Sequence, residues 1–203
     1  SHELSVQALF GTDLDGVHCD FCHRSMDPKN PDEEAIVGGT VPGYGNGMYV
    51  VQRTNQPMRG SRGGMPEHCE VSKADSFYRT SEYCGVCHEV SNPYFSHNAR
   101  STVPYAQIPM ERTYSEWKLS WFATNEERQT CQSCHMKPSP GLASISPSAQ
   151  RRNDVASHDF SGGNTFGATL VAGNWSGLDQ LVLQKGIALS EALLKSAARL
   201  EVV

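Results

Sequence analysis

Seven cysteines stand in the 203 residues, and six of them fall into three pairs of one spacing. The pairs read Cys19-Asp20-Phe21-Cys22-His23, Cys84-Gly85-Val86-Cys87-His88 and Cys131-Gln132-Ser133-Cys134-His135, so each CxxC runs straight into a histidine. Two thiols three positions apart can each add to a vinyl group of one porphyrin, and the imidazole that follows can reach the iron from the same side. Histidine is scarce, at 8 of 203 residues, so its presence after all three pairs is a pattern beyond composition. A zinc site built from paired CxxC motifs does not require it, structural disulfides leave it unexplained, and a redox CxxC would occur once, inside a βαβ unit. The spacing predicts three covalently attached haems c, held by thioether bonds from Cys19, Cys22, Cys84, Cys87, Cys131 and Cys134, with His23, His88 and His135 as proximal iron ligands.

The opposite face of each iron then decides the chemistry. Five histidines remain, His2, His18, His68, His97 and His158, which is enough for three bis-histidyl irons. Met136 follows His135 directly and lies on the wrong side of the peptide to reach over the same haem. The other methionines, at 26, 48, 58, 65 and 110, show no spacing that singles one out. Two imidazoles leave no vacancy for a substrate and give a lower potential than histidine with methionine, which suits an electron carrier more than an enzyme. The seventh cysteine, Cys69, sits beside His68 and reads as a small buried thiol or a surface thiol.

The elements that must position these groups are short. Hydrophobic residues make up 38% of the chain and aromatics 8%, while 18 glycines and 11 prolines punctuate it, so porphyrin is expected to fill the middle. The expected fold is mainly α with much irregular coil and little β, its short helices and loops wrapped around a multihaem core. Residues 1–175 read as a trihaem cytochrome c domain and residues 176–203 as a C-terminal amphipathic helix leading towards a further segment. The glycine-rich run Gly43-Tyr44-Gly45-Asn46-Gly47 precedes an extended stretch, residues 48–53, and reads as a loop leading to a strand or hairpin. The second motif should sit in short helical turns. Residues 93–109 form a proline-punctuated connection. Thr113-Tyr114-Ser115-Glu116 makes a capping box for a helix to about Thr124, with Tyr114, Trp117 and Trp121 on one stripe. Residues 137–148 read as a loop, and another glycine-rich loop begins at His158. Ser176 can cap a helix to about Arg199 whose apolar face carries Leu178, Leu181, Val182, Leu189, Ala192 and Leu193.

Formal charge is −5 with both signs mixed and no basic tract, which argues against nucleic acid as a partner. No run reaches the roughly 18–20 apolar residues of a membrane span, and Ser1-His2-Glu3-Leu4 does not start a signal peptide, so a mature, trimmed or fragmentary chain is expected.

Several of these stretches together resemble the periplasmic and extracellular multihaem c-type cytochromes, including the tetrahaem electron carriers of nitrifiers. The resemblance spans residues 16–164. It rests on Gly16-Val17-His18-Cys19-Asp20-Phe21-Cys22-His23, on His68 placed sixteen residues before Cys84, and on Ser81-Glu82-Tyr83 leading into the second motif and Glu89 following it. Glu116-Trp117 ahead of the third motif and His158-Asp159-Phe160-Ser161-Gly162-Gly163-Asn164 complete it. It implies closely stacked haems, export to the periplasm or beyond the cell, distal ligation by His68 and His158, and, in many relatives, a β-sandwich after the last helix. The function it implies is electron transfer with other redox proteins or cytochromes, as a shuttle, a complex subunit or a self-assembling filament unit. The alternative is an oxidoreductase acting on a small nitrogen or sulfur compound at one open haem.

Overall fold

The computed structural model describes residues 16–36, 43–53, 55–62, 73–92, 108–143, 149–174 and 177–201. The chain divides into two compact units, Ser1–Glu116 and Trp117–Val203.

The first unit opens with α1 (Cys19–Arg24), a helix that is little more than the first motif itself. His18 enters it in an extended conformation and its carbonyl accepts the Cys22 N–H at 3.1 Å, while Arg24 reaches back to Asp20 at 2.7 Å. Ser25 leaves the helix extended, and β1 (Ser25–Met26) pairs antiparallel with β2 (Val50–Val51). A parallel pair follows, β3 (Arg59–Gly60) beside β4 (Lys73–Ala74). Asp75 then caps a 3₁₀ turn, Ser76–Arg79, by accepting from the Phe77 N–H at 2.9 Å, and the turn delivers the chain to α2 (Ser81–Gly85), which carries the second motif's first cysteine. Beyond His88, β5 (Val90–Asn92) pairs antiparallel with β6 (Ile108–Glu111), and α3 (Thr113–Leu119) begins.

Glu89 ties these pieces together. Its side chain is fully buried and receives Arg112 Nη1 at 2.6 Å, the Ser115 N–H at 2.8 Å and the Ser115 hydroxyl at 2.8 Å, so the carboxylate that follows the second motif caps α3 from outside the helix. The Glu89 carbonyl accepts from the Asn46 N–H at 2.8 Å. That approach requires Gly45, whose φ is +130° and where a Cβ would lie 2.7 Å from the same carbonyl oxygen.

In the second unit, α4 (Trp121–Thr124) and α5 (Cys131–His135) precede a hairpin of β7 (Pro138–Leu142) and β8 (Arg151–Ala156), then α6 (Phe166–Asn174) and α7 (Gln180–Ala197). Asp179 caps α7, accepting from the N–H groups of Leu181 (2.9 Å) and Val182 (3.3 Å). The expected cap, Ser176, lies outside the described residues. Of the expected apolar face, Leu193 is buried, whereas Leu181 and Val182 are exposed.

The two units bury apolar side chains differently. The first has Met26, Ala35, Phe77, Val86 and Tyr114 inside; in the second, Leu193 alone among the described hydrophobic side chains is buried, and Leu119, Trp121, Phe166, Leu170, Leu181 and Val182 face outward.

The expectation of a mainly α fold with little β is corrected by these elements: helix occupies 40% and strand 18% of the described residues, a mixed α/β chain. The cause is local. Each motif helix is too short to satisfy its neighbours' backbone groups, and the chain turns extended within three residues of His23, His88 and His135, at β1, β5 and β7. Each of those strands finds an antiparallel partner downstream. Residues 137–148 did not read as a strand because Pro138 and Pro140 interrupt them. In a two-stranded ladder alternate N–H groups point outward, so prolines two apart can be accommodated. The predicted helix from residue 113 to about 124 breaks at Ser120, whose backbone is extended, and Trp121 is exposed rather than in line with buried Tyr114.

Gly85 packs so closely on Tyr114 that a Cβ would lie 2.7 Å from two ring atoms. Gly85→Ala should therefore destabilise the first unit by about 1–3 kcal/mol through overpacking. Thermal unfolding checks this against Gly163→Ala, whose new methyl group meets nothing within 4 Å.

Candidate functional site

Each motif histidine is fixed through the same ring atom. His23 Nδ1 lies 2.7 Å from the Arg59 carbonyl, His135 Nδ1 lies 2.5 Å from the Ser161 carbonyl, and His88 Nδ1 lies 3.3 Å from Glu111 Oε1. A carbonyl or carboxylate oxygen can only accept, so Nδ1 carries the proton and donates it. In a neutral ring the lone pair is then on Nε2, the arrangement that metal-ligating histidines show.

At the first motif the acceptor is itself held hard. Arg59 is 3% exposed; its Nε donates to Gln52 Oε1 at 2.5 Å, Nη1 to Asp75 at 3.1 Å, and Nη2 to Asp32 at 2.6 Å and Glu34 at 2.5 Å. Burial alone would lower the guanidinium's pKa, but hydrogen bonds to Asp32 and Asp75 and the charges of Asp32 and Glu34 raise it above its ordinary value. Buried Gln52 is anchored in turn, donating to the Pro57 carbonyl at 2.7 Å. On another side, Tyr78 stacks with the His23 ring, with 5.8 Å between centroids and 18° between planes.

Tyr78 and Tyr83 join the first motif to the second. Both hydroxyls donate towards the Cys22 carbonyl, at 2.8 and 2.9 Å, and the single Tyr78 proton is shared between that carbonyl and the Ser25 carbonyl, also at 2.8 Å. Burial pushes both phenols well above the usual tyrosine range, so they remain donors. Burial, and after it the charge of Cys22, push the Cys87 thiol up.

At the second motif, the β5 and β6 ladder brings Glu111 opposite Val90, and the Tyr114 N–H donates to the His88 carbonyl at 3.0 Å. At the third, Thr130 and Ser133 form a reciprocal capping box at the start of α5, while Trp117 Nε1 donates to the Gln129 carbonyl at 2.8 Å under the Arg128 guanidinium.

Of the expected distal ligands, His158 is exposed in the second unit. Its Nδ1 lies 3.2 Å from the Ala156 carbonyl, and its ring meets Phe160 edge-on. Next to it, hydrogen bonds from Lys185 and Ser157 hold the Asp159 carboxyl below its ordinary range. His18 is exposed at the entry to α1. His2, His68, His97 and Cys69 lie outside the described residues.

The donor set fits haem c. All six motif cysteines stand as thiols, each pair on or beside a short helix, followed by a histidine with Nδ1 anchored. Among the described residues no three or more His, Cys, Asp or Glu gather as a bare metal ion would need. A haem iron can be held by a single proximal histidine, because the porphyrin supplies the four equatorial nitrogens. Sequence reasoning missed Arg59, Tyr78, Glu111 and Ser161. Two of these act through backbone carbonyls, which every residue possesses, so no side-chain signal marks them.

No protein-family model, curated protein or solved structure matches the chain.

Arg59→Gln should cost about 3 kcal/mol, the low end for breaking a buried ion pair, because its carboxylate partners keep some contact with water. Urea denaturation reads the loss, and Asp32→Asn should cost less, since Asp32 is 37% exposed.

Proposed function

We propose that the chain is a c-type cytochrome that carries electrons on three haems. One observation carries this reading: three CxxCH histidines, in different surroundings, all donate Nδ1–H to an oxygen and so hold the tautomer that ligates through Nε2. Bound at these motifs, each haem supplies a reversible one-electron couple.

The residues' roles follow from their chemistry. Cys19, Cys22, Cys84, Cys87, Cys131 and Cys134 hold the porphyrins as thioethers, and His23, His88 and His135 ligate from one face. His158, with its own Nδ1 against a carbonyl, is a candidate for an opposite face. The outward-facing Trp121, Phe166, Leu170, Leu181 and Val182 of the second unit provide apolar surface for porphyrin to cover, in place of a side-chain core. Under this reading the partners are other redox proteins or cytochromes, met as a shuttle, in a larger complex or along a filament. The compartment is the periplasm or the cell exterior.

A pyridine haemochrome assay should count three haems per chain, and Cys84→Ser with Cys87→Ser should reduce the count to two. Electron paramagnetic resonance of the oxidised protein should show low-spin ferric haem alone. A chain purified from a haem-attaching host without covalent haem would overturn the proposal. A high-spin ferric signal accompanied by turnover of nitrite or hydroxylamine would replace it with an oxidoreductase.

A further inference from the structure

The three motif histidines differ in the charge of the group that takes their Nδ1 proton. His23 and His135 give it to peptide carbonyls, which are neutral dipoles, whereas His88 gives it to the carboxylate of Glu111. A carboxylate draws the proton further from the ring and raises the basicity of the other nitrogen, and its negative charge favours the ferric over the ferrous state of an iron ligated there.

The fold holds Glu111 for this contact in three ways. The β5 and β6 register sets Glu111 opposite Val90, two residues past His88. The Tyr114 N–H donates to the His88 carbonyl at 3.0 Å, closing the backbone on the other side. Thr113 Oγ1 donates at 2.9 Å to the same Oε1 that faces His88, so that oxygen is doubly engaged.

We propose that Glu111 is a positioning residue that holds down the reduction potential of the second haem. This rests on the reading of the chain as a trihaem cytochrome. The contact spans 3.3 Å, and the His88 and Glu111 side chains are 66% and 41% exposed, so water screens the charge. The effect is therefore of the order of tenfold in the reduced-to-oxidised ratio rather than a thousandfold. For a one-electron couple, tenfold is about 59 mV.

The test uses the intact holoprotein, its three haems first counted by pyridine haemochrome. Glu111→Gln keeps the shape and an accepting oxygen but removes the charge. In spectroelectrochemical titration one of three transitions should move to higher potential by about that amount, with one low-spin resonance signal changing and the other two holding still. If Glu111→Gln does not retain three haems, Glu111→Asp carries the test. Its carboxylate is shorter by one methylene, and the same transition should rise by a smaller, measurable step. Transitions that coincide with the parent's in whichever variant retains three haems overturn the inference and leave the cytochrome reading intact. A parent chain without haem overturns both.

Discussion

An imidazole offers Nε2 to a metal in the tautomer that carries its proton on Nδ1, and an acceptor at Nδ1 fixes that tautomer and the ring's orientation. At each motif the acceptor that does so lies far along the chain, 36 residues after His23, 23 after His88 and 26 after His135. Much of the structure is the means of bringing these acceptors back. After each motif the chain becomes extended and pairs with a later strand, and the returning segment or the one after it carries the oxygen. The result is a structural repeat of motif helix, strand and antiparallel return, built on spacers too unequal to appear as a sequence repeat.

The first unit secures its returns mainly with polar contacts. Arg59 is encircled by Gln52, Asp32, Glu34 and Asp75, and Glu89 by Arg112 and Ser115. Such networks are demanding, since each buried charge must find its partners, but they fix geometry more tightly than loose apolar contact. Around them a small set of rings, Tyr44, Phe77, Tyr83 and Tyr114, makes edge and stacked contacts. The second unit has fewer such ties and a nearly empty side-chain interior among its described residues, which leaves its helices dependent on whatever covers their apolar faces.

The sequence revealed the chemistry-bearing residues more readily than the framework. Cysteine spacing and the histidine after each pair are local features and can be read residue by residue. The strand at Val50–Val51, read from the extended run after the glycine-rich loop, and the short helical turns expected around the second motif were also legible. What stayed hidden is non-local. The β7 and β8 hairpin was masked by prolines that only an edge strand tolerates. The α3 terminus is capped by Glu89, some two dozen residues upstream, where the sequence offered Thr113. Asp179 takes the role assigned to Ser176 because the helix starts later. The Arg59 and Ser161 carbonyls are main-chain groups, and only the path of the chain selects them.

The two tyrosine hydroxyls on the Cys22 carbonyl impose an order in time. Tyr78 stands 56 residues and Tyr83 61 residues after Cys22. In a chain that emerges from its amino terminus, the first CxxCH is complete long before either hydroxyl or the stacking ring of Tyr78 exists to hold its carbonyl and its histidine ring. Once Tyr83 docks on the Cys22 carbonyl, the neighbouring Cys84 is drawn in with it, so the first and second motifs reach their folded places together.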